Sequence, residues 1–435
     1  MTARHIVLAG LTALFCSALP AQDLTVVKAG SLYQGRGKPL LKDVVVLIED
    51  GKIKKIMKGA EIPWNAEVID ASKGYVMPSW VLAHGSGGLD RENENMPVTP
   101  YLTIMDSLDP SSTYFETARR HGIGILHILP GNATQIGGRG ILLKPYGRTP
   151  EDMALVEKAG MKMSLQATQG SRSQHLLQIE KAFKDALDHR NEILRQKAEW
   201  EEDKKNGATT VEEFDVDKKI DKLKKPILDM LDGKIPVYLY VPGANDVSNA
   251  FQLMDKYKLK TVLILGPTCY KAINVIKAYG RRNPGKLRII LDPAQEVLDK
   301  DPVSQEETLV CPAKVFYDAG IPFALSSVSN SGRYGRSGNP ALAMPWYQVG
   351  ICVRHGVPED IAIAALTEIP AMYLNRSKRF GRLEEGMDAT MQILAAPPME
   401  PESKVLMLLD EGQIIYDRSK DPRVKQLTGK PSQTH

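Results

Sequence analysis

The sequence predicts an α/β chain: a closed barrel of alternating strands and helices beside a small β-sandwich built from both ends of the chain. Short strand-like runs broken by turns fill residues 24–75 and return near the C-terminus. Between them, apolar strands alternate with amphipathic helices, the pattern of a parallel sheet, and the number of units favours closure. The 435 residues suffice for a barrel of about 250 residues and a second layer.

Leu24–Ala29, Val44–Glu49, Ile53–Met57 and Glu67–Asp70 are the first expected strands, with Glu49-Asp50-Gly51-Lys52 as a hairpin turn. Tyr75–Ala83 is the expected first barrel strand, followed by a helix near Ser112–Arg120. Gly124–Leu129, Ile141–Lys144 and Met161–Gln166 come next as strands. Val237–Val241 precedes a helix at Val247–Lys256, and Thr261–Leu265 precedes one at Tyr270–Ala278. Leu287–Leu291 and Pro322–Ser326 complete the barrel. Ala389–Ala395, Val405–Asp410 and Gln413–Tyr416 return to the sandwich.

Residues 172–232 interrupt the alternation. They are highly charged, with Leu176, Ile179, Phe183, Leu187 and Ile193 at helical spacing. Surface helices inserted in a barrel crossover are expected, either as a solvated excursion or as a dimer contact. The expected division is a signal peptide at 1–21, a composite sandwich from 24–75 and 379–418, and a barrel at 76–378 carrying the insertion.

Composition excludes several classes. A formal net charge of +4 on so long a chain, with no basic stripe interleaved with aromatics, argues against nucleic acid. Arg4 and His5 precede an apolar run from Ile6 to Phe15, and small residues follow up to Ala21. That is the layout of a secretory signal, so a periplasmic or secreted product is expected. No later run is apolar and long enough for a membrane span. Cys269, Cys311 and Cys352 form no disulfide framework; buried thiols are expected, with a single bridge as the alternative.

Several segments carry a family resemblance. Asp50-Gly51-Lys52-Ile53 forms an N-terminal hairpin, and Gly74-Tyr-Val-Met-Pro-Ser-Trp-Val-Leu-Ala-His84 ends a strand on a histidine. His127-Ile-Leu-Pro-Gly-Asn-Ala-Thr-Gln-Ile-Gly-Gly138 is glycine-rich. Arg354-His-Gly-Val-Pro-Glu359 and Gly381-Arg-Leu-Glu-Glu-Gly-Met-Asp-Ala389 lie near the return to the sandwich. Together they resemble the amidohydrolase superfamily, in particular its exported imidazolonepropionase-like members, over about residues 24–418. The resemblance implies a distorted (β/α)8 TIM-like barrel with a β-sandwich formed by both termini. It implies hydrolysis of C–N bonds in cyclic amides, dipeptides or amidines. One or two divalent metals would activate water, held by a His-x-His pair, two further histidines and an aspartate, often with a carboxylated lysine or a glutamate as bridge. Such chemistry needs a metal to lower the pKa of water and a carboxylate to take its proton.

Ligand by ligand, the resemblance then implies loss. His84 matches the first histidine, but Ser86 stands at the second position. The fourth strand places Gln166 or a neighbour at the bridge; Lys162 falls too early by alignment. Tyr240, Leu265 and Val328 stand where two histidines and the aspartate are expected. A catalytic zinc normally has about three protein ligands, so no cofactor is expected, and zinc or another divalent metal only if hydrolysis persists.

The mouth is expected to present Ser86, His127, Asn132, Gln135, Gln166, Tyr240, Ser326 and Ser327 as polar pocket residues. His127 reads first as a satisfied core histidine and otherwise as a neighbour of the mouth, and Asp292 as a turn cap or an acid. His175 and His189 fall on the charged insertion. The expected function is that of a non-catalytic amidohydrolase-like protein binding a small molecule, or a partner such as a second copy or an active relative. The alternative is a C–N hydrolase acting on cyclic amides or dipeptides through a reduced site, with His84 and Asp292 as catalytic candidates.

Overall fold

The computed structural model describes residues 24–59, 61–168, 170–207, 213–326 and 344–427. The expected export signal, Ser327 and Val328 lie outside the described residues. The chain opens with strands β1 (Leu24–Leu32), β2 (Leu41–Glu49), β3 (Lys52–Lys58) and β4 (Glu67–Pro78). Then come β5 (Trp80–Gly85), β6 (Ile123–Ile128), β7 (Ile136–Leu143) and β8 (Ala154–Ser164). β9 (Val237–Val241), β10 (Thr261–Leu265) and β11 (Ile289–Leu291) follow. A hairpin, β12 (Val297–Lys300) with β13 (Glu307–Val310), precedes β14 (Ala324–Leu325). β15 (Met391–Leu394), β16 (Val405–Asp410) and β17 (Gln413–Asp417) end the set.

Two sheets organise these strands. One runs β17-β16-β15-β4-β1-β2-β3 and joins both ends of the chain, because β15 pairs antiparallel with β4. Val27, Leu32, Val46, Ile53, Met391 and Leu409 fill its core, giving the expected sandwich. The other runs β14-β11-β10-β9-β8-β7-β6-β5 and is the barrel. Its seam is bridged by backbone: Leu325 donates to Ala365 O (2.9 Å) and Val81 to Leu366 O (2.8 Å).

Strand alternation fills the barrel. Val81, Tyr238, Val262, Ile290 and Ala324 form the inner cluster. Leu82, Leu239, Leu263, Leu291 and Leu325 pack outward in the larger cluster with the helices. Gly160 makes room for an inner ring: a Cβ there would lie 2.5 Å from Tyr238 Cε2.

Two expectations change here. Tyr75–Ala83 is not one strand. β4 runs through to Pro78 in the terminal sheet, and the barrel strand starts afresh at Trp80, after the proline. The barrel is also not all parallel, since β7 pairs antiparallel with both β6 and β8. Only residues 129–135 separate β6 from β7, too few for the helical crossover that a parallel neighbour needs.

The insertion is a 34-residue helix, Arg172–Lys205, with two short helices at Val216–Lys219 and Lys225–Leu231. Ser171 caps the long helix by accepting from Gln174 N. His175, Ile179, Phe183, Ala186 and Ile193 are buried on one face. No helix among the described residues is long and apolar enough to cross a membrane.

Candidate functional site

β5 delivers His84 to the barrel interior, where 2% of it is exposed. Its ring is oriented by the end of β14. Ser326 Oγ donates to His84 O at 3.2 Å and accepts from His84 Nδ1 at 3.0 Å. That arrangement leaves Nε2 with a lone pair, and Lys162 Nζ lies 3.4 Å from it. Lys162 projects inward from β8 because its neighbours Met161 and Met163 pack outward. Its amine also donates to Pro130 O at 3.3 Å and to Asn132 Oδ1. The Tyr240 ring centroid lies 5.8 Å from the amine.

Burial governs the charges. Lys162 is fully buried, and desolvation brings it down from 10.5 to about 7. Protonated and neutral amine therefore coexist near neutral pH. His84 is held well below its ordinary value, first by burial and then by the positive charge of Lys162. A neutral imidazole thus faces an amine able to donate to it.

The polar chain continues outward. Asn132 O accepts from Ser164 Oγ at 2.6 Å. His175, on the long insertion helix, donates from Nε2 to Ser164 O at 2.8 Å and accepts at Nδ1 from Gln135 Nε2 at 3.1 Å. One hydrogen-bonded path therefore runs from the insertion through Ser164, Asn132, Lys162 and His84 to Ser326.

The other expected residues take different places. His127 lies inside the barrel, its Nδ1 donating to Ala83 O at 3.0 Å while its ring packs edge-on against Tyr238. Its Nε2 is buried without a hydrogen-bond partner, and desolvation lowers the group to about 4. Asp292 accepts from Ala294 N at 2.9 Å, the turn-capping arrangement, and its charge helps raise Tyr240. Ser86 is buried at the end of the first barrel strand. Leu265, expected at the strand-six ligand position, packs outward instead, and Val262 and Ile264 are the inward residues of β10.

Gln166 sits beyond β8, away from the centre, beside a cavity of about 530 Å³ at the ends of β8, β9 and β10. The cavity is also lined by Arg172, Asp246, Thr268 and Lys271. Gln166 Oε1 is buried without a partner. Lys162, set aside by sequence alignment, is the fourth-strand residue that faces His84. Its signal is a lysine alternating with buried methionines.

No family profile matches the sequence. Amidohydrolase tasK of Hapsidospora irregularis is 22% identical over 409 residues, covering 86% of this chain and 40% of that protein. The chain therefore spans less than half the length of that relative. An amidohydrolase from Thermotoga maritima superposes with a TM-score of 0.73 at 21% identity, over 90% of this chain and all of its own. The fold is that of the amidohydrolase superfamily. A beta-aspartyl dipeptidase from Fervidobacterium islandicum shares this superfamily fold at TM-score 0.52 and 13% identity, covering 91% of this chain and 97% of its own. A zinc-bound adenosine deaminase from Xanthomonas campestris does so at 0.50 and 14%, covering 90% and 93%. At these identities the likeness is one of fold.

The amidohydrolase fold implies a metal, and the donor set around His84 does not fit one. Its Nε2 meets an amine, its Nδ1 a hydroxyl, and the amine's other partners are an amide and a backbone carbonyl. Among the described residues no three His, Cys, Asp or Glu side chains converge. A zinc site needs about three such donors.

Proposed function

We propose that this chain uses the amidohydrolase barrel as a metal-free, non-catalytic site for a small polar molecule. The observation that carries the reading is Lys162 Nζ at 3.4 Å from His84 Nε2. A nitrogen that would face a metal in a hydrolase of this fold is here satisfied by the protein's own amine. Donors and acceptors remain, but a Lewis acid does not follow from them. The cavity beyond Gln166 supports the same reading: it lies at the carboxyl ends of the strands, where barrels bind ligands, and Arg172, Asp246 and Lys271 give it both signs of charge.

One observation favours the alternative, a C–N hydrolase with a reduced site. Lys162 at about 7 supplies a neutral amine beside a neutral imidazole, which is the state a general base needs. A panel of cyclic amides and dipeptides separates the two readings. Binding is read from the shift in melting temperature and hydrolysis from product release. The proposal expects ligand-dependent shifts without product above the uncatalysed rate. Turnover that disappears in His84→Ala establishes the hydrolase instead.

A further inference from the structure

The barrel has a second concavity at the pole opposite its mouth, where the segments feeding β9, β10 and β11 converge around a cavity of about 720 Å³. Lys234, Lys260 and Arg288 stand just before those strands, and Lys258 and Lys286 share the rim. Asp255 is the carboxylate among the lining residues, and it accepts from Tyr279 OH at 2.8 Å.

The charges do not balance locally. Lys234 pairs with Asp229 at 3.2 Å and Asp232 at 3.6 Å. Among the described residues Arg288 donates to neutral acceptors, Tyr373 O and Asn375 Oδ1, each at 3.3 Å. Lys260 Nζ donates to Gly233 O at 2.8 Å. Lys258 and Lys286 make no ion pair among the described residues, so four cations share one cavity without a carboxylate partner.

Their backbones are fixed. Lys260 O accepts from Val237 N and Arg288 O from Leu263 N, each at 2.9 Å, which ties both residues to the barrel. Lys258 ends its helix in the left-handed region at φ 52. The cavity also has an apolar side formed by Met254, Leu259 and Tyr279, whose ring stacks on Phe251 at 3.8 Å.

We propose that this cavity binds an organic phosphate, with the phosphoryl oxygens on Lys258, Lys260, Lys286 and Arg288 and the flat body against Met254, Leu259 and Tyr279. Clustered cations favour a multiply charged anion, and a guanidinium matches phosphoryl oxygens in pairs. The apolar wall adds affinity that an inorganic anion cannot use. The site is independent of the reading of the mouth.

Calorimetric titration at low salt with ATP and with tripolyphosphate tests it, using the full chain, the double variant K258E/K286E, and R288Q. ATP is expected to bind the wild type about tenfold more tightly than tripolyphosphate, and about tenfold more weakly to each variant. Added salt should weaken it further. The side chains changed in K258E/K286E are exposed, so that variant carries the test if R288Q does not fold. Absence of saturable ATP binding overturns the proposal. Equal affinity in wild type and K258E/K286E, or tripolyphosphate binding as tightly as ATP, also overturns it.

Discussion

Lys162 Nζ sits 3.4 Å from His84 Nε2 inside the barrel, with both side chains removed from solvent. A buried amine that titrates near neutrality makes stability depend on pH. The unfolded chain holds this proton up to 10.5 and the folded chain only to about 7. Between those values the unfolded state binds more protons, so stability rises with pH, by up to about 1.4 kcal/mol per unit. Below pH 7 both states are protonated and the cost of burying the charge is fully present. Urea unfolding of wild type and Lys162→Met at pH 6, 7.5 and 9 should show the wild type gaining roughly 2 kcal/mol more than the variant from pH 7.5 to 9. Parallel curves would mean that Lys162 does not titrate in this window.

His175 anchors the insertion to the mouth through Ser164 O and Gln135. His175→Ala leaves Ser164 O without that donor and should cost about 1–3 kcal/mol. Hydrogen exchange should rise most in the first turns of the Arg172–Lys205 helix and near Ser164. Unchanged protection there would show that the buried face of Ile179 and Phe183 holds the helix alone.

Asp410, 1% exposed, joins barrel to sandwich. It accepts from Tyr146 OH at 2.8 Å and Thr390 Oγ1 at 2.7 Å, and pairs with Lys144 at 2.9 Å. Asp410→Ala removes the shared acceptor of Tyr146 and Thr390 and leaves Lys144 with Glu411 at 2.9 Å as its remaining carboxylate, so it should cost about 1–3 kcal/mol. The exposed pair Lys184–Asp188 gives the contrast, with Asp188→Ala costing about 0.5 kcal/mol or less. Chemical denaturation measures both, and similar losses would refute the assignment of Asp410 as the link.

Gly160→Ala tests the packing of the barrel interior. The added carbon would meet the Tyr238 ring at 2.5 Å, so a loss of about 1–3 kcal/mol is expected from overpacking. Neutral or raised stability would mean that the ring has room to move.

The fold was legible because the alternating middle and the returning strands each obey a simple period, whereas the break between β4 and β5 at Pro78 leaves no such mark in the continuously apolar run. The site was legible only in part. His84 ends a recognisable strand, but linear spacing puts Lys162 ahead of the bridging position, whereas alternation between the outward Met161 and Met163 turns it inward to face His84. The resemblance puts Leu265 at the strand-six ligand position, whereas alternation from Val262 turns Ile264 inward. His175 did leave a trace: it lies four residues before Ile179 and eight before Phe183, on the same helical stripe. The charge of the surrounding segment concealed it.

Elemental analysis of the purified chain, paired with native mass spectrometry, measures the central claim most directly. Protein from medium containing zinc, manganese, iron and nickel should carry far less than one metal ion per chain, with the mass of the unmodified polypeptide. One tightly held ion per chain, lost in His84→Ala or accompanied by a CO2 adduct on Lys162, would contradict a site built on the free amine.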